Sequence, residues 1–397
     1  MVEVRVSRTA LVPDPLRVRR YQKAPELGPR ILFFSGGTAL NDVASRLQHY
    51  SHNTIHLVTS FDSGGSSAKL RDAFDMPAIG DLRSRLMALA DDTVLGHPEV
   101  YRLFNHRLPT HAAAVDLRKT LTELVSGHHP LTADITDSMR QLICNQLGYF
   151  QQQMPEDFDL RGASIGNLIL AGGYLNNHQQ LDPIIFLFSR LVHVRGTVRP
   201  AVNENYHLAA ILDDGSQVLG QHCMTGKEVA PLCSAITRVS LSSERDSWVP
   251  VSAAVSDKNL RLIESAELIC YPPGSFHTSV MVNLLPEGVG RAVRDNHCPK
   301  VYIPNPCPDP EQIGRTQQQL IVTLLAALRR DAGADCSNET LLSFILVDRK
   351  HGDYPGGIDD EAIEALGIRL IDTPLITPQS APHYDPDLLI TALMSLV

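Results

Sequence analysis

The chain has 397 residues, of which 43% are hydrophobic and 20% charged, and its formal net charge is -9. That is ample for a buried core and, at roughly 150 residues per domain, for two or three lobes. An acidic balance with no long run of Lys or Arg speaks against a nucleic-acid partner, and seven scattered cysteines with no C-x-x-C speak against a disulfide framework or a zinc site.

The first 29 residues form an extension in which MVEVRVSRTALVPDP alternates like a strand and lacks the basic-then-apolar order of a signal peptide. Residues 30–95 read as the first part of a core. Arg30 to Phe34 is a branched apolar run that passes through Ser35, Gly36, Gly37 and Thr38 into Leu40, Val43, Ala44 and Leu47, spaced as one helix face. A second run, 54–58, leads past Asp62 into Gly64, Gly65, Ser66 and Ser67 and a short helix toward Leu70. In AIGDLRSRLMALADD, Gly80-Asp81 opens a helix with Leu82, Leu86 and Leu89 inward; Asp81 reads as its cap, Arg83 and Arg85 as solvated.

Residues 96–160 are polar and helix-like, an insertion expected over one end of a sheet. In 161–250, GASIGNL looks like a helix start capped by Ser164, with Asn167 one turn in and able to donate to and accept from a ligand's base or sugar. Short β runs from 191 to 243, with a hairpin signal at Asp214-Gly215, predict a small β subdomain. Residues 251–397 return to the core: 267–271 lead through Pro272, Pro273, Gly274 and Ser275 into a helical pattern from Thr278 to Leu285, further runs fall at 299–303 and 342–347, and Asp385-Pro386 starts a closing helix. The apolar run Leu320 to Leu328 is far short of the roughly 20 residues that span a bilayer, so a cytoplasmic protein without a membrane partner is expected. Together these elements predict an α/β fold: a Rossmann-like, doubly wound, mostly parallel sheet with a helical insertion and a small β subdomain.

Ligands of such sheets bind beyond the carboxyl ends of the strands, where the loops 35–38, 62–67 and 272–275 fall. Their glycines let backbone N–H groups approach an anion, and three such loops converging would hold a diphosphate. Taken singly, each is equally an ordinary strand-to-helix turn, since neither G-x-G-x-x-G nor G-x-x-x-x-G-K-[ST] is present. Asp62 at a strand end suits Mg2+, which takes one or two carboxylates together with phosphate oxygens and water. No G-x-S-x-G elbow exists, so acyl transfer is not expected.

The ordered set SGGTALNDVASRL, VTSFDSGGSSAKLRDAFDMPAIGDLRSRLMALADD, GASIGNLILAG, PPGSFHTSVMVNLLPEGVGRAV and KVYIPNP resembles the CofD/YvcK superfamily, nearest to its YvcK (gluconeogenesis-factor) branch and to CofD-like proteins of the GAK system. The resemblance implies a nucleotide diphosphate or nucleotide sugar such as a UDP-sugar as ligand, Mg2+ as cation, and a homodimer. It implies two activities: a regulatory, YvcK-like binding role in central or cell-envelope metabolism, or CofD-type transfer of a phospholactyl group from a guanosine diphosphate donor to a deazaflavin hydroxyl. By position it assigns ligand contacts to Ser35, Gly36, Gly37, Thr38, Gly64, Gly65, Ser66, Ser67, Asn167, Gly274, Ser275 and Thr278, and a metal and catalytic role to Asp62. The family's second carboxylate is replaced by Ser63, and its tyrosine by His277. Half the metal-binding charge is thereby lost, which favours binding over transfer.

Overall fold

A computed structural model describes residues 9–91 and 96–397. In chain order its strands are β1 (Ile31–Ser35), β2 (Ile55–Val58), β3 (Thr197–Pro200), β4 (His207–Leu212), β5 (Gln217–Leu219), β6 (Ile236–Ser242), β7 (Pro250–Val251), β8 (Leu268–Tyr271), β9 (Lys300–Tyr302), β10 (Phe344–Val347) and β11 (Arg369–Asp372). Seven of them make one parallel sheet in the order β11-β10-β9-β8-β1-β2-β3. The branched runs lack alternation because this sheet is covered on both sides. In β1, Ile31 and Phe33 pack toward the closing helix Pro386–Ser395, while Leu32 and Phe34 pack toward the helix Gln317–Ala332. The predicted doubly wound α/β fold is therefore present.

The small sheet, β5-β4-β6-β7, is antiparallel, and Gly215 turns its first hairpin at φ 81°. Thr197–Pro200, grouped with that subdomain on its sequence pattern, instead pairs in parallel with β2 as the edge of the main sheet. β11 has no counterpart among the predicted strands, because an edge strand with exposed ends carries little apolar signal.

The insertion folds as helices Pro98–Asn105, Ala114–Val125, Pro130–Ala133 and Asp137–Gln153, which share one apolar core with the helices Ile165–Asn176 and Leu181–Leu191. Gly172 sets the closest approach: a Cβ there would lie 1.8 Å from the Gln146 carbonyl oxygen. At the other end of the chain, residues 1–8 of the expected N-terminal strand lie outside the described residues. The first described element is a helix, Pro15–Lys23, because Asp14 caps it by accepting from the Arg17 N–H at 3.1 Å and Pro15 fits its first turn.

Candidate ligand site at the switch of the sheet

From β1 the chain winds outward through β2 to β3, and from β8 it winds the opposite way through β9 to β11. The carboxyl ends of β1 and β8 therefore flank the point where the strand order reverses, the place where open α/β sheets take ligands. Gly36 and Gly37 lie there against the wide turn Phe276–Val280 that succeeds β8: a Cβ on Gly36 would come 3.3 Å from the Ser279 Cβ and 2.3 Å from the Thr59 Cγ2. Gly274 lies under the same serine. The loops after β1, β2 and β8 thus meet, and at Gly36 the contact leaves no room for a side chain.

Two of these loops have their N–H groups satisfied from within. Gly37, at φ 61°, donates to the Asp81 carboxylate at 2.7 Å. Beyond β8, the His277 and Thr278 N–H groups donate to Glu311 at 2.8 and 2.9 Å, the Thr278 hydroxyl donates to the same carboxylate at 2.5 Å, and the Phe276 N–H donates to Asp309 at 3.0 Å. Thr278 is 1% exposed, and all its polar donors are spent on Glu311. Gly274 N–H donates to the Asn305 side chain, and Ser275 is half-buried beside it. Ser35 is buried at the end of β1 with its hydroxyl unpartnered, and Thr38 is exposed.

The loop after β2 differs. Its helix, Gly65–Phe74, starts at Gly64 with no side-chain cap, which leaves first-turn N–H groups for an outside acceptor. Ser66 Oγ meets Asn167 Nδ2 at 3.3 Å, and the Asn167 Oδ1 is buried without a partner on a side chain only 2% exposed. Ser67 is buried against Gly80, where a Cβ would come 2.5 Å from its hydroxyl. Arg71, from the same helix, holds the loop in shape: it donates to the Phe61 and Asp62 carbonyls at 3.3 and 3.1 Å, to the Asn205 side chain at 2.9 Å and to the Tyr206 carbonyl at 2.7 Å.

Asp62 receives the Gly64 N–H at 3.1 Å and lies beside Gly80, where a Cβ would come 3.5 Å from its Oδ2. That places it next to Asp81. Burial, and then the neighbouring Asp62 charge, push the Asp81 carboxyl up to about 6. Asp81 is not the cap expected of it: it sits inside the helix Gly80–Ala88 and reaches back to the β1 loop. Arg85 is not solvated either, being 1% exposed with Nε and Nη1 unpartnered, and Arg83 is half-buried with its Nε unpartnered. Ser164 stands at the N-cap position of its helix, but its hydroxyl makes no cap bond, so the helix start there is left to the backbone.

Ser63, where the resemblance implies an acid, accepts the His222 N–H at 3.1 Å and meets the His222 Nδ1 at 2.8 Å. The small sheet is thereby pinned to the β2 loop. Among the described residues no group of three or more His, Cys, Asp or Glu side chains is placed to hold a metal. Two adjacent carboxylates with water and phosphate oxygens still meet the requirement of Mg2+, and the strained ionisation of Asp81 beside Asp62 is what a cation would relieve. Asp62 was legible in sequence. Asp81, Glu311 and Asp309 were not, since each acts on a loop remote in the chain, and Arg71 was not because its partners Asn205 and Tyr206 lie more than a hundred residues on; the Asp in Gly80-Asp81 was the nearest thing to a signal.

The comparisons bear on the family and the fold. Residues 31–376 match the family described as 2-phospho-L-lactate transferase CofD. The gluconeogenesis factor of Bacillus subtilis (strain 168) is 28% identical over 356 residues, covering 88% of this chain and 92% of that protein. A putative gluconeogenesis factor of Nostoc sp. is 26% identical over 356 residues, and the chain spans 63% of its length. A crystal structure of a UPF0052-family protein from Bacillus halodurans superposes with a TM-score of 0.66 at 24% identity, over 92% of this chain and 99% of that one, a likeness of fold. With the family's pattern matched from β1 to beyond β11, the chain belongs to the CofD family, among its relatives named gluconeogenesis factors.

Proposed function

We propose that this protein binds a nucleotide diphosphate or nucleotide sugar, with Mg2+, in the crevice between β1 and β8, and acts as a regulatory binding protein of YvcK type. The observation that carries this reading is the uncapped start of the helix Gly65–Phe74, set beside the half-satisfied Asn167 in the crevice. Phosphate oxygens would lie on the first-turn N–H groups of Gly65, Ser66 and Ser67, with Gly36, Gly37, Gly274 and Ser275 as close backbone walls. Asp62 and Asp81 would hold the cation, which supplies charge neutralisation to the phosphates. Asn167 offers an acceptor to the base or sugar.

A second reading, CofD-type transfer of a phosphate-linked group to a hydroxyl acceptor, is supported by one observation: Asp81 lies near Asp62 as a second carboxylate. In it the chain's own residues position the diphosphate and place opposing charges around it. Calorimetric titration of the full chain with UDP-, GDP- and ADP-linked ligands, with and without Mg2+, tests the common claim; micromolar binding that weakens in EDTA is expected, and no binding by any of them at millimolar concentration would sink it. Release of product from a bound donor on adding a hydroxyl acceptor decides for the second reading.

A further inference from the structure

Behind the Ser66 end of the crevice lies a separate cavity of about 240 Å³, between the helix Gly65–Phe74 and the segment that joins the insertion to Asn167. Its floor is apolar, from Leu70, Phe158 and Leu168, and its rim carries Lys69, Arg107 and Arg161. The only carboxylate among its lining residues is Asp159, which accepts from Lys69 at 2.7 Å and from Arg161 at 2.8 Å. Both cations hold that carboxyl well below the usual range, so it stays ionised and fixes them at the rim. Arg107 donates to the Gly162 carbonyl at 3.2 Å, and the half-buried Arg83, with its Nε unpartnered, is near enough for the two guanidiniums to repel. Three cations face one anion here. The uncapped N-terminus of the helix adds a positive end on the same side, at Gly65 and Ser66, which belong to both the cavity and the crevice.

We infer that this cavity is a second subsite, which takes a small anionic group, a carboxylate or phosphate borne on an apolar fragment. It deepens the reading above and rests on it for the link: a ligand whose phosphate lies on Ser66 can pass its far end into the cavity. The cavity's volume of about 240 Å³ is below the roughly 300–1,000 Å³ of a pocket for a drug-sized ligand, which suits a fragment rather than a second nucleotide. Arg107 and Arg161 give it selectivity through planar forks that match carboxylate and phosphate oxygens.

Crystals of the full chain soaked in tungstate test the inference without any nucleotide. Tungstate is expected among Lys69, Arg107 and Arg161, and is expected to vanish in an Arg107→Ala/Arg161→Ala variant whose thermal unfolding shows it folded. In solution, UDP-glucuronate should bind about tenfold tighter than UDP-glucose, and the variant should erase that preference while leaving UDP affinity within twofold. Tungstate seen only on the loops 35–38 and 64–67 would overturn the subsite and spare the proposed function. Tungstate in the cavity of the variant would overturn the assigned cations, and tungstate at neither place would count against both.

Discussion

At the scale of single residues, the site is built from carboxylates that serve the backbone and the ligand at once. Asp81 accepts from Gly37, and it also lends charge beside Asp62. Asn keeps an acceptor at either position and removes the charge. Asp62→Asn and Asp81→Asn are therefore each expected to lower nucleotide affinity in Mg2+ by about tenfold or more, roughly 1.4 kcal/mol, and to leave affinity in EDTA nearly unchanged. Titration calorimetry under both conditions checks this; an equal loss in EDTA would assign the two residues to folding. Glu311 works differently. Burial, and then Asp309, raise its carboxyl to about 7, and the groups facing it are the His277 and Thr278 N–H groups and the Thr278 hydroxyl. A carboxyl raised in the folded state binds more protons there than in the unfolded chain between about pH 4.5 and 7, so its contribution to stability is present at low pH and lost as pH rises through that window. Relative to Glu311→Gln, the native protein should gain on the order of 2 kcal/mol on going from pH 8 to pH 5. Thermal unfolding of both proteins across that range reads it, and parallel curves would remove Glu311 as the titrating group.

At the scale of elements, strand-to-helix turns are set by contacts that only glycine allows. Gly36 is buried with φ outside the left-handed region, so its constraint is space: a methyl group would meet the Thr59 Cγ2 at 2.3 Å. Gly36→Ala should destabilise by about 1–3 kcal/mol as an overpacked site. Adding Thr59→Ser deletes the clashing methyl, and the double variant should recover at least half of the loss in a denaturant-unfolding cycle; no recovery would place the cost elsewhere. The same scale shows what the sequence made legible. The runs before residues 35, 59 and 272 announced parallel strands because a sheet buried on both faces needs unbroken branched residues, and the helix Pro386–Ser395 was announced by Asp385-Pro386. Thr197–Pro200 was misgrouped because membership of a sheet is decided by the strand it pairs with, 142 residues away at Ile55↔Thr197. Within the site, glycines and Asp62 could be read from local pattern. Glu311, 33 residues from the Thr278 whose donors it takes, could not, since neither acid in CPDPEQ carries a local sign of its partners.

At the scale of the whole molecule, the β2 loop is the joint of three parts: main sheet, insertion core and small sheet. Ser66 ties it to Asn167 on the insertion side, Ser63 ties it to His222 on the small-sheet side, and Arg71 crosses from its helix to the carbonyls of Phe61, Asp62 and Tyr206 and to the His207 ring. Arg71 is 4% exposed, and burial lowers its guanidinium to about 10 while leaving it charged at neutral pH. His207, lowered to about 4 by burial and by that same cation, is neutral and can accept from it. A lysine in this place has one nitrogen, which cannot reach acceptors spread around a planar fork, and the carbonyls it abandons are buried at Phe61 and half-buried at Asp62 and Tyr206. Each unsatisfied group costs about 1–3 kcal/mol, so Arg71→Lys should loosen the joint well before it unfolds the molecule. Hydrogen exchange is then expected to rise over residues 59–64 and 205–212, to stay unchanged in β8 to β10, and to be accompanied by at least a tenfold loss of nucleotide affinity. Added nucleotide should slow exchange at the same segments in the native protein, because a ligand that binds only the closed joint stabilises it by about 2.7 kcal/mol at one hundred times its Kd. Exchange that rises evenly over the whole sheet in Arg71→Lys, or affinity that survives it, would mean that the three parts hold the crevice independently and that the joint does not couple them.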